Sequence, residues 1–220
     1  VGDVSENTTD EIKRKIYDTF PTQNRAVTQA DYENISYRMP AKFGSIKRVS
    51  VQRDPNSERR NLNMYVISED SFGKMIVTNS TIKNNLKTWV NHYRMLSDTI
   101  DIVDSFIINF GVDFIVRPTS NVDKYELLRT CVSTLQDYFS TSYFIGEHIN
   151  IAELYKRLSE VKGVLDVVKV RLTNKNGGNY SSVQFNINEN TSPDGTSVVI
   201  PKNAIAELKF PTSDIRGKIR

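Results

Sequence analysis

Apolar residues recur every three or four positions in five stretches of the chain, the spacing that places side chains on one face of a helix. The predicted helices cover residues 8–20, 28–39, 82–93, 125–139 and 150–161. Thr28 and Asp31 form a capping-box pattern in the second helix, and Asn150 and Glu153 occupy the corresponding positions in the last. These pairs predict where the two helices begin.

The apolar stripe of each helix predicts which side chains face the core. In the second helix Tyr32, Ile35 and Met39 share that face. In the helix over 150–161 the predicted stripe consists of Ile151, Leu154, Leu158 and Val161. In the helix over 125–139 the predicted stripe consists of Tyr125, Leu128, Val132, Leu135 and Phe139. Cys131 lies beside this stripe, so the sequence predicts a half-buried helix cysteine.

Alternation of apolar and polar residues predicts the strands. They cover residues 46–53, 62–68, 100–103, 106–117, 164–173 and 181–187. The longest has apolar residues at every even position from Phe106 to Val116, which predicts one buried face. Turn residues at 54–57 and 176–179 predict two hairpins, one within 46–68 and the other within 164–187.

In chain order these elements form two mixed modules, so the predicted fold class is α+β rather than an alternating βα fold. After an entry helix in residues 1–24, the first module (25–105) has the order α-β-β-α-β. The second module (106–188) has the order β-α-α-β-β, and a C-terminal extended segment covers 189–220. The two orders differ, so the sequence indicates no simple internal repeat.

The net charge of the chain is concentrated in one segment. The 220 residues carry 29 Lys and Arg against 26 Asp and Glu, a net charge of +3. Residues 201–220 hold this whole excess, and the remainder is balanced. A basic tail alone is a weak indication of nucleic-acid binding. The sequence begins at Val1 without a Met or a signal segment, which predicts a fragment of a longer protein.

Few residues are available for catalysis or metal binding. One Cys excludes a disulfide framework and a Cys-cluster metal site, and the two His leave little for imidazole chemistry. A thiol or metal enzyme would need Cys131 exposed beside His148. His92 and His148 lie near helix ends without a second ligand at metal spacing. The sequence therefore predicts no enzyme, with no catalytic residue, no cofactor and no metal.

The acidic pairs are poor candidates for acid–base catalysis, and the glycine-rich turn is a poor candidate for phosphate binding. Asp101 and Asp104 flank a strand, where nothing sets a general acid against a base. The turn at 176–179 lacks the Lys-Ser/Thr of a phosphate-binding loop and joins two predicted strands. No apolar run approaches the roughly 18 residues of a membrane helix, so no membrane partner is predicted.

Other features indicate binding partners. Residues 198–210 are apolar although they follow the last module, so they must pair with their own sheet or with a neighbouring chain. Arg59 and Arg60, together with the basic tail, would suit a nucleic-acid-binding module as the alternative function, although no stacking aromatics accompany them. The predicted interface residues are Val198, Val199, Ile200, Ile205, Leu208, Phe210, Arg216, Lys218, Arg220, Arg59 and Arg60.

Four stretches resemble, in order, the baseplate J-like family of contractile phage tails and related injection machines. Residues 24–33 (NRAVTQADYE) resemble the family signature RAVT-x-x-DYE, and residues 112–118 (VDFIVRP) resemble its long strand ending in Arg-Pro. Residues 146–149 (GEHI) and 161–167 (VKGVLDV) resemble its entry into a second helix and the strand that follows. The resemblance runs from about residue 24 to residue 173.

The resemblance implies a structural function. Members of the family are building blocks that form a ring around the tail hub and couple rearrangement of the baseplate to sheath contraction. The implied partners are further copies of the chain, as a homodimer or ring, and other baseplate wedge and sheath-initiator proteins, with no nucleic acid and no membrane. The implied location is the virion tail baseplate, after assembly in the host cytoplasm. Short relatives usually end soon after the second module, so residues 189–220 depart from them.

Overall fold

The computed structural model describes residues 24–54, 57, 61–120, 122–141 and 143–220, together with residues 9, 12, 13, 16 and 17. Helices and strands are mixed along the chain, which confirms the predicted α+β class. The chain divides into two compact units, Val1–Ser105 (unit 1) and Phe106–Arg220 (unit 2). Of the predicted helix 8–20, the five described residues are helical, and the others lie outside the described residues.

The described part of unit 1 combines helices with a small mixed sheet. Its elements are α1 (Gln29–Tyr37), β1 (Arg48–Arg53), β2 (Asn61–Glu69), β3 (Met75–Ile76), α2 (Ser80–Asn91) and β4 (Thr99–Asp104). β2 is central, because β1 pairs with it antiparallel and β4 pairs with it parallel. β3 adds a short antiparallel pairing at the end of β2. Apart from β3, this is the predicted order of elements.

The capping box predicted for α1 is present. Thr28 Oγ1 accepts the N–H of Asp31 at 3.2 Å, and the Asp31 carboxylate accepts the N–H of Thr28 at 2.9 Å. The helix buries Tyr32 and Ile35, as its stripe predicts. The Tyr32 hydroxyl donates to the Asp98 carboxylate at 2.7 Å, and this buried bond joins α1 to the loop before β4.

Unit 2 is organised around one long strand. Its elements are β5 (Phe106–Pro118), α3 (Lys124–Tyr138), β6 (Ile149–Asn150), α4 (Ile151–Ser159), β7 (Val164–Lys175), β8 (Ser197–Val198), β9 (Ala204–Glu207), α5 (Pro211–Asp214) and β10 (Ile215–Ile219). β7 pairs antiparallel with one edge of β5. β9 and then β10 pair parallel with the other edge of β5, and β6 pairs with β8 separately.

The core of unit 2 lies between β5 and the helices α3 and α4. The even-numbered residues of β5 from Ile108 to Val116 are at most 2% exposed, as the alternation predicts. Phe106, at the start of the same row, is 51% exposed. α4 contributes the buried residues that its stripe predicts, namely Ile151, Leu154 and Leu158.

The stripe predicted for α3 is correct only in part, because Leu135 is buried and Leu128, Val132 and Phe139 pack on the core, but the centre of the buried row lies at other residues. The helix buries Leu127, Cys131 and Leu135, whereas Tyr125 is 86% exposed and Leu128 is only partly buried. α3 packs against β10, which comes from the far end of unit 2. Spacing within the helix carries no information about that distant strand, so it could not predict which row of the helix turns inward.

The hairpin predicted within 164–187 was also wrong in its second strand. Residues 176–179 form a turn, with Gly177 and Gly178 at φ values of +75° and +59°, but residues 181–187 are not a strand. The N–H of Ser181 instead donates to the Asn109 side chain of β5 at 2.7 Å. The alternating Val183, Phe185 and Ile187 pack on the core without joining the ladder.

The two units share an arrangement of strands and helix although the order of their elements along the chain differs. In each, a central strand pairs antiparallel with one strand and parallel with another. A helix that precedes the antiparallel strand packs on it and caps one of its N–H groups with a tyrosine hydroxyl. Tyr37 accepts the N–H of Val49 in unit 1, and Tyr155 accepts the N–H of Val170 in unit 2, both at 2.9 Å.

Candidate interaction surface

The residues considered for thiol chemistry have structural contacts. Cys131 is fully buried on the inner face of α3, rather than half-buried as predicted, and burial raises the pKa of its thiol. His148 Nδ1 accepts the N–H of Ile200 at 3.1 Å, which ties the segment before α4 to the segment after β8. His92 forms the C-cap of α2. A thiol inside the core with a raised pKa is a poor nucleophile.

Among the described residues, no group of three or more His, Cys, Asp or Glu side chains is placed to hold a metal ion. None of the helices in the described part of the chain combines the length and the apolar character that crossing a membrane requires.

The apolar half of the predicted interface lies mostly inside unit 2. Val198, Ile200 and Ile205 are at most 1% exposed, and Val199 is 44% exposed. Leu208 packs on the core of unit 2 while remaining partly exposed. The segment therefore pairs with its own sheet, which is one of the two alternatives that the sequence left open.

Buried polar residues hold the tail against β5. Asn109 of β5 donates to the Glu207 carboxylate of β9 at 2.7 Å. The Asp214 carboxylate, itself 2% exposed, accepts the Tyr180 hydroxyl at 2.6 Å and the N–H of Phe210 at 3.0 Å. The Tyr180 and Phe210 rings also meet edge to face, with centroids 5.5 Å apart. These contacts fix the position at which β10 begins.

The basic half of the predicted interface is exposed, and β10 determines where it lies. Arg216 and Lys218 alternate with residues that face the core, so their side chains lie on the opposite face of the sheet. Arg220 follows directly, and its N–H donates to the Val116 carbonyl at 3.0 Å. Arg59 and Arg60, the other basic candidates, lie outside the described residues.

Strand register places further cations on that face. Asp113 of β5 is flanked by Arg216 of β10 and by Arg171 of β7. In the next row Ile115 of β5 is flanked by Lys218 and Lys169 on the same two strands. The resulting surface, called the basic face below, carries the exposed side chains of Arg117, Lys169, Arg171, Arg216, Lys218 and Arg220.

The basic face has the character of a binding surface rather than of a stabilising ion-pair network. Asp113 and Asp166 are its acidic members at the paired positions, so the cations outnumber the anions. Exposed ion pairs contribute only about 0–1 kcal/mol, and unpaired like charges oppose folding slightly. No aromatic residue lies in the two rows around Asp113 and Ile115, so the surface lacks a platform for stacking nucleic-acid bases.

Only part of the basic face was predicted from the sequence. Arg216, Lys218 and Arg220 were predicted as interface residues, whereas Lys169, Arg171 and Arg117 were not. The three missed residues are separated from the tail by about 45 to 105 positions along the chain. Only the pairing of β7 and β10 with opposite edges of β5 brings them together.

Several aromatic residues pack against one another inside unit 2. Phe139 lies 5.6 Å from Phe110 and 5.0 Å from Tyr138, measured between ring centroids. Tyr143 joins this cluster, and burial raises the pKa of its phenol. Exposed aromatics do occur elsewhere, with Phe72 in unit 1 at 83% exposure.

Comparison with known proteins bears on the fold. The sequence matches no protein-family model. It also matches none of the curated proteins. Among solved structures, the chain is similar to a chain in the cryo-EM structure of the anti-feeding prophage baseplate, six-fold symmetrised, with a TM-score of 0.55 and 15% sequence identity.

The similarity covers 93% of this chain and 42% of that chain, so this chain spans less than half of the length of the chain it matches. At 15% identity the similarity shows a shared fold. It confirms, at the level of fold, the likeness to contractile-tail baseplate proteins that the sequence motifs predict.

Proposed function

We propose that this chain is a structural subunit of the baseplate of a contractile tail or a related injection machine. The observation that carries the proposal is the fold similarity to a baseplate chain over 93% of the sequence. Four sequence motifs in the order of the baseplate J-like family support the same assignment. The motifs themselves have structural roles, since Thr28 caps a helix and the chain reverses at Gly163 with φ of +98°.

A finer assignment belongs to the same proposal. Within the family, the Asn- and Tyr-rich sequence and the segment 189–220 resemble most the C-terminal part of the baseplate wedge protein of T-even-type phages. The subunit would assemble into a ring around the hub, contact other wedge and sheath-initiator proteins, and couple baseplate rearrangement to sheath contraction. It would be located in the virion tail baseplate, after assembly in the host cytoplasm.

The basic face provides a contact surface for this role. Its cations surround Ile115, so a complementary partner presents carboxylates around a small apolar patch. Charge complementarity of this kind favours the correct partner and speeds encounter more than it raises affinity. We propose that an acidic surface of a neighbouring baseplate subunit, rather than nucleic acid, occupies the basic face. Val199, Leu208 and Phe210 remain proposed contact residues.

Composition of purified particles tests the assignment. Contractile particles isolated from the organism that encodes this chain should contain it in a fixed ratio to the sheath and hub proteins, measured by quantitative mass spectrometry. Its absence from intact particles would reject the proposed function. Sedimentation of the purified chain tests self-association separately, because a strict monomer at high concentration contradicts the ring and leaves other baseplate contacts possible.

Charge reversal tests the role of the basic face. A variant with Arg216→Glu and Lys218→Glu should enter particles at least about tenfold less than the natural chain, since both changes set like charges against an acidic partner. The matched control carries Lys156→Glu and Lys162→Glu, which change the net charge equally but lie at exposed positions off this face. Equal incorporation of both variants would show that the basic face is not needed for assembly.

A DNA-binding measurement distinguishes the proposed structural function from the alternative, a nucleic-acid-binding module. A duplex DNA titration at two salt concentrations should show no binding that weakens steeply with salt. Salt-sensitive binding that is lost on Arg59→Ala with Arg60→Ala would favour a nucleic-acid-binding module instead.

A further inference from the structure

A groove follows the outer edge of β7 in unit 2. It has a volume of about 770 Å³. One wall is formed by residues 171–174 of β7 and the other by residues 184–190. Successive side chains of a strand point to opposite faces, so four consecutive residues line a groove only where the edge of the strand is itself the wall. We call this feature the β7 groove.

The edge of β7 carries backbone groups directed into the β7 groove. The N–H of Val170 donates to the Tyr155 hydroxyl, so it points away from β5. The antiparallel register continues without a shift from Val170 to Asn174, and outward-pointing residues alternate along such a strand. The N–H groups of Leu172 and Asn174 therefore also point outward. Within residues 143–220, all of which the structure describes, neither of these outward N–H groups has an acceptor.

Carboxamide side chains line the β7 groove beside this edge. They are Asn174, Asn176, Gln184, Asn186, Asn188 and Asn190. Asn174 Oδ1 is buried and has no hydrogen-bond donor among the described residues. A buried acceptor left without a donor destabilises the folded chain, and a ligand that supplies an N–H would recover this free energy. A carboxamide offers the same donor and acceptor pair as a peptide group, so this lining matches a polypeptide backbone.

The charge in the β7 groove is small. Arg171 and Glu189 are the charged side chains among the residues that line it, and they have opposite signs. The lining therefore gives no preference for an anion or a cation.

The chain's own residues 181–187 do not take the vacant position next to β7. Ser181 is bonded to Asn109, and Val183 and Phe185 pack on the core of unit 2. The adjoining residues 184–190 form the far wall of the groove. Residues 181–190 therefore leave the position beside β7 open to a strand from another polypeptide.

We propose that the β7 groove binds an extended, uncharged stretch of another polypeptide, which adds to the sheet as a strand beside β7. Main-chain hydrogen bonds to Leu172 and Asn174 would supply the affinity, as in other cases of strand addition to an open edge. Asn174 Oδ1 would accept an N–H from the same strand. This inference is independent of the proposed function, because it needs only the geometry of unit 2.

The experiment uses the isolated 220-residue chain and a capped hexapeptide of alternating threonine and valine. In amide-resolved NMR, saturating peptide should shift the Leu172 and Asn174 amide signals and slow their hydrogen exchange about tenfold. Exchange at Thr173, whose N–H faces β5, should change little. A peptide N-methylated at every residue carries methyl groups on both of its edges, so it cannot pair with β7 and should have no effect.

A variant and its control complete the test. Asn174→Ala should weaken binding of the unmodified peptide at least about threefold, whereas Asn91→Ala, at the end of α2 in unit 1, should leave it unchanged. Absence of protection at Leu172 and Asn174, or equal protection by the N-methylated peptide, would overturn the proposal. Absence of the chain from contractile particles would overturn the proposed function and leave this result untouched.

Discussion

The Tyr155 hydroxyl accepts the N–H of Val170 at 2.9 Å, so α4 covers the edge of β7 at this residue. Exposed edges of sheets invite pairing with other chains, and proteins cover them with helices, loops or charges. In unit 1, α1 covers the edge of β1 in the same way. The Tyr37 hydroxyl accepts the N–H of Val49, and the Glu33 carboxylate accepts the N–H of Val51 at 2.8 Å. The edge of β7 beyond Val170 lacks such a cover.

Removing the Tyr155 hydroxyl should expose this amide. We expect Tyr155→Phe to lower the free energy of unfolding by about 1 kcal/mol, because a partly buried N–H loses its acceptor. Urea denaturation gives the stability, and hydrogen exchange at Val170 should become faster. Tyr125→Phe is the matched control, since that side chain is 86% exposed, and it should have no measurable effect. An unchanged exchange rate at Val170 would contradict this role.

Gly217 of β10 lies against α3 and β5 without room for a side chain. A Cβ at this position would meet the ring of Phe114 and would lie 2.5 Å from Leu128 Cδ1. We expect Gly217→Ala to destabilise the chain by about 1–3 kcal/mol through overpacking. Lys218→Ala, on the opposite face of the same strand, should change stability by less than about 0.5 kcal/mol. Equal effects of the two substitutions in urea denaturation would contradict the close packing.

Asp214 should stabilise the tail through its buried carboxylate. We expect Asp214→Ala to cost about 1.5–3 kcal/mol, because the hydroxyl of Tyr180 and the N–H of Phe210 both lose a charged acceptor. Tyr180→Phe should cost less, and the double variant should show an interaction energy between the two sites. If the losses of stability in the two single variants add up to the loss in the double variant, the two side chains act separately.

The same hydrogen bond should be visible in the titration of the phenol. It raises the pKa of Tyr180 above the ordinary value of 10.0, with Asp214 as the main cause. The folded chain therefore holds the phenol proton more tightly than the unfolded chain, and this contribution is lost as the pH rises above about 10. NMR titration of Tyr180 in the Asp214→Ala variant should show its pKa returning toward 10.0.

Cys131 should be unreactive in the folded chain. Its thiol is buried, and burial raises the pKa above the ordinary value of 9.0. Labelling with Ellman's reagent at pH 8 should therefore be slow until urea unfolds the protein. The thiol's contribution to stability is complete below the pKa of the unfolded chain and is lost as the pH rises above about 9. Stability should thus fall more steeply above pH 9 in the natural chain than in Cys131→Ala. Rapid labelling without urea would support the hypothesis of a thiol enzyme that uses Cys131.

Local signals were predicted well from the sequence. The Thr28 capping box, the buried stripes of α1 and α4 and the alternation in β5 depend on neighbouring residues, and the structure contains them. The errors involve distant partners. The rotation of α3 depends on β10, and the state of residues 181–187 depends on Asn109. The basic face could be predicted only in its β10 part, because its other cations come from β5 and β7.

The parallel pairing of β10 with β5 also sets an order of events during synthesis. Ile215 pairs with Val112 across about 100 residues, whereas the strands of unit 1 pair within residues 48–104. Contacts of long sequence separation form slowly, and domains tend to fold as the ribosome releases them. Unit 1 can therefore complete its sheet while unit 2 is still being translated. The sheet of unit 2, and with it the basic face, is finished only when β10 leaves the ribosome, so a prematurely terminated chain would lack the binding surface.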